Sequence, residues 1–192
     1  MAQVVHPLVV GPGIAHRREQ ESLPGGRQLR DHGPVRADRA AASDEAVRRH
    51  GLEPIGRIVD SEWAGLDPAQ MGLGPVHAAT PILKRNGLAL NAPDYWEINE
   101  AFAAQVLGCL AAWKDDSYCR EQLGLEAALG ELDEAKLNVD GGAVALGHPV
   151  GASGARIVLH LLRTLQRNGA KRGIATICIG GGLGGAMLVE AI

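Results

Sequence analysis

The strongest constraint on the fold sits at the end of the chain, where GIATICI (173–179) and AMLVEAI (186–192) are joined by GGGLGG. Short apolar runs with β-branched residues read as strands, and a glycine-rich joint between them reads as a turn. The same joint could also be a backbone loop that presents N–H groups to a substrate oxygen. Just upstream, Ile157, Val158, Leu161, Leu162 and Leu165 share one helical face, while Arg156, His160, Arg163 and Arg167 share the other. Asn168-Gly169 closes that helix. An amphipathic helix followed by apolar strands must lay its stripe on a sheet, so the fold class is α/β, a mixed sheet covered by helices.

The rest of the chain extends this pattern back to about residue 42. ASDEAVRRHG predicts a short helix: Ser43 caps it, acidic residues fill its first turn, basic ones its last, and Gly51 stops it. IGRIVDSEWA (55–64) alternates as a strand does. MGLGPVHAATPILKRNG combines a loop with a helix closed at Gly87, and DYWEIN is a further strand. AFAAQVLGCLAAW is helical, with its apolar face drawn through residues 102, 106, 107 and 110. REQLGLEAALGELDEAK (120–136) reads as a polar helical excursion ending at a strand-like LNVD. Residues 1–41 differ: they are rich in Arg, Gly, Pro and His, hold only a short apolar run, and sustain neither period. They read as an atypical loop or disordered segment preceding a domain at 42–192.

Composition narrows the function class. A net charge of −3 lacks the basic footprint of a nucleic-acid binder. No apolar run reaches membrane-spanning length, and residues 1–20 lack a signal-peptide profile. Three cysteines, at 109, 119 and 178, make no C-x-x-C pair and no even framework, which favours free thiols in a reducing compartment such as the cytoplasm. With seven scattered histidines and no H-E-x-x-H, the sequence offers no metal site; His50 and His77 read as surface or loop residues and His160 as part of the polar helix face.

GGAVALGHPVGASGAR (141–156) places His148 and Pro149 in a glycine-rich turn that runs into the amphipathic helix. A P-loop needs a lysine after its last glycine, and here His148 and Pro149 follow Gly147. Gly180, Gly182 and Gly185 match G-x-G-x-x-G, but only seven residues follow Gly185, too few for the next helix and strand of a dinucleotide fold. Among the thiols, Cys109 reads as core filler in an apolar helix, and Cys119, between charged residues, as exposed and incidental. Cys178 ends an apolar strand against three glycines, a position that suits proton transfer or nucleophilic attack as well as a buried structural thiol.

Three motifs in order, N-E-A-F-A (99–103), G-G-A-V-A-L-G-H-P followed by G-A-S-G-A-R (141–156), and C-I-G-G-G (178–182), resemble those of the C-terminal half of the thiolases, the acetyl-CoA acetyltransferases and 3-ketoacyl-CoA thiolases. The resemblance implies a thiolase-like half-domain over about 42–192 and acyl transfer through a cysteine acyl-enzyme, by Claisen condensation or by thiolysis. Acyl-CoA and CoA would be substrates, with no covalently bound cofactor, no metal, and no nucleic-acid or membrane partner. By the same resemblance His148 activates the nucleophilic thiol and helps bind the thioester oxyanion, and Asn99 holds a water that completes that site. Cys178 is the acid/base at the α-carbon, Gly180 offers its backbone N–H to a second oxyanion, and Phe102 packs near the acyl end or in the helix core. The family also implies a homo-oligomer.

The family's nucleophilic cysteine belongs to an N-terminal half-domain that this chain is too short to contain, and neither Cys109 nor Cys119 stands in its context. The expectation is a form that does not turn over alone, or else a subunit that pairs with a separate chain supplying the nucleophile. GRQLRDHGPVRADRAA puts Arg36, Asp38 and Arg39 where the family has an apolar strand, which fits a shifted reading frame in the first segment.

Overall fold

The computed structural model describes residues 8–11 and 40–192. The elements run β1 (Leu8–Gly11), β2 (Ala40–Ser43), α1 (Asp44–His50), β3 (Gly56–Gly65), α2 (Gly74–Arg85), β4 (Tyr95–Ile98) and α3 (Ala103–Lys114). There follow α4 (Asp116–Leu123), α5 (Ala143–Leu146), α6 (Val150–Arg167), β5 (Arg172–Ile179) and β6 (Leu183–Ala191). The strands form one six-stranded sheet in the order β2-β1-β3-β6-β5-β4. The β4–β5 pair is parallel and the other pairs are antiparallel, so the sheet is mixed.

Both faces of the sheet are covered, as the alternation within β5 and β6 requires. Ile174 and Leu188 join a core with Val76, Ile82 and Leu83 of α2 and Trp113 of α3. Their neighbours Ala175 and Val189 face the other way, onto Ile157, Leu161, Leu162 and Leu165 of α6. Trp96 and Trp113 meet edge-on, centroids 5.4 Å apart, and each indole N–H has an acceptor, Leu90 O and Thr80 Oγ1 respectively. The α2 helix comes so near β6 that a Cβ on Gly184 would lie 2.1 Å from Gly74 O. Only glycine permits that approach.

Local signals carried the early elements. Ser43 Oγ accepts from Ala46 N at the start of α1, and Gly51 closes it with φ 57°. The β5–β6 turn runs through Gly181 and Gly182, with φ of 89° and 81°. The short apolar run of the first segment, where composition predicts loop, enters the sheet as β1 between β2 and β3. The charged stretch around Arg36, Asp38 and Arg39 lies outside the described residues.

Three expectations need correction. The buried face of α3 is Gln105, Val106, Cys109, Ala112 and Trp113, while Phe102 and Leu107 are exposed. The excursion at 120–136 is helical only to Leu123; Gly124 and Gly130, with φ of 62° and 104°, break it before a single 3-10 turn at Glu134–Lys136. LNVD is no strand. It makes one bridge, Trp96 to Leu137, and then Asn138 turns away with φ 46°.

Candidate active site

The parallel strands β4 and β5 end side by side, and the residue after β4 is Asn99. Its N–H bonds to Thr176 O at 2.9 Å, so Asn99 extends the ladder by one step and is itself buried. Cys178 lies two residues beyond Thr176 on β5, buried and opposite Gly184 of β6. Carboxyl ends of adjacent parallel strands are where open α/β sheets place ligands. His148 arrives from the other direction, between α5 and α6, and its Nε2 lies 3.4 Å from Asn99 Nδ2.

The hydrogen-bond partners of the imidazole fix its tautomer. Ser153 Oγ is 3.2 Å from Pro149 O and 2.6 Å from His148 Nδ1. A hydroxyl has one hydrogen, and the carbonyl can only accept it. Ser153 therefore donates to Pro149 O and accepts from Nδ1–H, which leaves the lone pair on Nε2, the nitrogen facing Asn99. That is the arrangement a general base requires. Asn99 Oδ1 is buried without a hydrogen-bond partner among the described residues, an open acceptor beside the imidazole.

The segment that carries His148 is bound to its surroundings by residues the motifs did not single out. The Asn138 side chain accepts from Ile98 N and donates to Ile98 O, standing in for a strand neighbour, and also donates to Glu100 Oε1. The other oxygen, Glu100 Oε2, accepts from Val144 N at the start of α5. This carboxylate packs so closely on Gly142 that a Cβ there would lie 2.5 Å from Glu100 Cδ, which accounts for the second glycine of the motif. From α6, Arg156 donates to Gly147 O. Glu100, Asn138 and Ser153 each stand within or beside the motifs, so position in the sequence was the available signal for them.

His160 is not simply one of a row of solvated charges. Its Nδ1 meets the buried Glu97 at 2.7 Å and its Nε2 meets Asp140 at 2.9 Å, with Arg167 on the same Asp140 oxygen. Burial pushes the Glu97 carboxyl up, and the charge and hydrogen bond of His160 offset only part of that. His77, expected at the surface or in a loop, is half-buried in α2 and shares a 2.8 Å hydrogen bond with Tyr118 Oη. His50 is exposed at the end of α1. Among the described residues no group of three His, Cys, Asp or Glu is arranged to hold a metal ion. Among the described residues no helix is long and apolar enough to cross a membrane.

The three thiols are all unpaired and buried. Cys119, expected to be exposed, is sealed at 0% with its Sγ against Ala112 O. Cys109 is equally sealed, and burial pushes its thiol up to about 12. Burial also raises Cys178, so that it keeps its proton near neutrality. Gly180 is exposed in the turn just past Cys178, and no heavy atom stands within 4 Å of where its Cβ would be. Phe102 is 62% exposed, at the mouth of an open groove with Gln70, Leu73 and Gln105. The structure thus joins Asn99 to His148, sets Cys178 and Gly180 on the neighbouring strand end, and leaves Phe102 outside the core.

The family model described as "Thiolase, C-terminal domain" matches residues 52–191, a span that contains every one of these groups. The chain belongs to the thiolase family. It is 45% identical over 151 residues to the beta-ketoadipyl-CoA thiolase of Pseudomonas aeruginosa, covering 79% of this chain and 34% of that protein. To the human mitochondrial 3-ketoacyl-CoA thiolase it is 43% identical over 150 residues, covering 78% and 34%. The crystal structure of that human enzyme in complex with CoA superposes with a TM-score of 0.65 at 42% identity, over 79% of this chain and 34% of the other. The Bacillus anthracis acetyl-CoA acetyltransferase gives the same TM-score at 40% identity, over 80% and 35%. The thiolase domain seen here therefore spans about a third of the length of the relatives it matches.

Proposed function

We propose that residues 42–192 form the C-terminal catalytic portion of a thiolase-type acyltransferase, acting on acyl-CoA and CoA by thiolysis or Claisen condensation. The observation that carries this reading is the Asn99–His148–Ser153 chain, in which Nδ1–H is occupied and the Nε2 lone pair meets only the long 3.4 Å contact from Asn99 Nδ2. A cysteine thiol brought to Nε2 loses its proton there and attacks the thioester carbonyl; the imidazolium and a water on Asn99 receive the oxyanion, and CoA leaves. Cys178, held as a thiol by burial, suits proton exchange at the substrate α-carbon once the acyl-enzyme has formed. The exposed backbone of Gly180 leaves room for a second oxyanion. Phe102 borders the groove that would take the acyl end.

No cysteine of this chain suits the nucleophile's role. Cys109 and Cys119 are sealed, and burial raises the Cys178 thiol, which suits proton transfer instead. The purified chain is expected to show no thiolysis of a 3-ketoacyl-CoA alone, and to gain it when the remaining portion of a thiolase supplies the thiol. Loss of the gained activity in His148→Ala supports the assignment. Robust turnover by the chain alone that survives Cys109→Ala and Cys119→Ala overturns it.

A second reading, a subunit complemented by another chain, is favoured by the surface around His148. Val144, Leu146 and Val150 are 65%, 67% and 79% exposed. Such a patch marks an interaction surface. The free thiols support a reading in which the protein works in a reducing compartment such as the cytoplasm, and the family association suggests a homo-oligomer. A shifted reading frame in the first segment is tested by the coding DNA read in all three frames.

A further inference from the structure

Acyl transfer as proposed leaves one buried charge without a task. Glu97, on β4, is 4% exposed, and among the described residues its side chain has a single hydrogen-bond partner, His160 Nδ1. The opposite nitrogen of that ring faces Asp140 Oδ2. Asp140 accepts from Nε2–H, and the Glu97 bond is carried either by hydrogen on Nδ1 or by the proton that burial favours on the Glu97 carboxyl. Either way the ring bridges Glu97 to Asp140, and Arg167, 2.7 Å from Asp140, holds the same carboxylate from α6. The remaining charged groups nearby are Glu100, which is bonded to Asn138 and Val144 N, and Arg156, which is bonded to Gly147 O.

The position of this ring matters because of what it connects. Glu97 lies two residues before Asn99, Asp140 opens the segment that ends at His148, and His160 sits on α6, the helix that follows His148. Asn138 and Glu100 tie the segment to β4, and Arg156 and Arg167 tie it to α6; among the described residues, the His160 side chain bonds to both β4 and the segment from α6. Glu97, Asn99, Gly142, Arg156 and His160 also line a cleft of about 80 Å³ between the ring and Asn99. Releasing Asp140 would open that cleft and let the segment drift from β4. The Asn99–His148 contact, already at 3.4 Å, would be lost first.

We propose that His160 is a positioning residue for the Asn99–His148 pair: an imidazole that locks the 138–148 segment between β4 and α6 by bridging Glu97 and Asp140. The inference rests on reading Asn99 and His148 as half of an acyl-transfer site, but its test measures geometry alone. Failure of the clamp and failure of the acyl-transfer reading are therefore distinguishable.

The experiment is side-chain 1H–15N NMR on the histidine-labelled whole chain near neutral pH, with amide hydrogen exchange. The wild type should show hydrogen on Nε2 of His160, where Asp140 accepts, and only on Nδ1 of His148. In His160→Leu the His148 Nδ1–H signature should fade, and the amides of Ala145, Leu146 and Gly147 should exchange at least about tenfold faster, with α2 unchanged. His160→Arg, which keeps two donors, should restore most of the protection. Asp140→Ala, at an exposed position, cuts only the segment side and should give the same local effect; it decides the matter should His160→Leu not fold. A His160 without hydrogen on Nε2 in the wild type overturns the proposal. So does an unchanged His148 spectrum and loop exchange in Asp140→Ala, even where His160→Leu loosens the whole domain.

Discussion

Removing the Ser153 hydroxyl tests the tautomer argument most directly. Ser153 is fully buried in the first turn of α6, and its Oγ bonds His148 Nδ1 and Pro149 O. In Ser153→Ala the Pro149 carbonyl is not orphaned, because it already accepts from Ala152 N at 2.7 Å and Ser153 N at 2.9 Å. What is lost is the acceptor for one ring N–H. Leaving a buried donor unpaired costs about 1–3 kcal/mol, and the half-exposed ring puts the loss near the low end, with a few tenths of a kcal/mol regained from the helix preference of alanine. For a chain of this size that corresponds to a fall in Tm of roughly 2–4 °C per kcal/mol. The tautomer responds more sharply. Withdrawing about 1–2 kcal/mol from the Nδ1–H form shifts the balance toward Nε2–H by roughly 5–30-fold. Side-chain 1H–15N correlation spectra of His148 read that shift, and urea unfolding reads the stability. A His148 that keeps its hydrogen on Nδ1 in Ser153→Ala, with an unchanged unfolding midpoint, would show that some other group orients the ring.

The remaining predictions concern packing, thiol reactivity and pH. Gly184→Ala forces a Cβ to 2.1 Å from Gly74 O, backbone against backbone, and should cost about 3 kcal/mol or more in thermal unfolding; Gly180→Ala, with nothing within 4 Å, should stay within about 0.5 kcal/mol. Native-state alkylation followed by mass spectrometry should leave Cys109 and Cys119 unmodified until denaturant is added, since both are sealed and the Cys109 thiol is pushed up to about 12. Burial pushes the Glu190 carboxyl up, but hydrogen bonds from Arg172 and Arg57 win and hold it below its ordinary 4.5. Its stabilising contribution is therefore present above that value and lost as pH falls through the lower folded one, so Glu190→Gln should flatten the acid limb of a urea-midpoint profile. Glu97 works in the opposite sense: burial holds it high, so its ionisation weakens the fold as pH rises through the raised value, and Glu97→Gln should remove that slope.

What the sequence reveals and what it hides divide along physical lines. The stripe of α6 is legible because its buried residues are large and aliphatic, and the face it presents is the face it buries. The face of α3 is not, because its seal is made by Cys109, Ala112, Trp113 and the polar Gln105, whereas Leu107 is left open. A reading weighted toward large apolar residues follows the wrong side of such a helix. Cys119 misleads for a related reason: charged neighbours suggest exposure, but α4 folds back so that the thiol meets the end of α3 at Ala112 O. Asn99 and His148 were legible as candidates because each stands in a short local motif, whereas the part of Ser153, five positions past His148, emerges only from its 2.6 Å contact with Nδ1. The environment of His160 was not legible either, since its partners lie 63 and 20 residues away and only the return of α6 over β4 brings them together.

On the proposed reading, the electrostatics of the two candidate proton carriers explain why the covalent step would call for a thiol from outside the chain. A cysteine–histidine pair makes a nucleophile when the neighbouring charge lowers the thiol. Here burial raises Cys178, so a thiolate there is disfavoured, and Nε2 of His148 faces Asn99. A protonated thiol and an imidazole bonded to Asn99 and Ser153 suit two different proton transfers better than one activated nucleophile. The base then needs a thiol delivered to Nε2. The side chains that flank its approach, Val144, Leu146 and Val150, are among the most exposed large apolar groups of the domain, whereas the same segment is fastened on its inner side by Glu100, Asn138 and Arg156. A segment rigid behind and apolar in front is built to be covered. On the proposed reading, what covers it also brings the nucleophile.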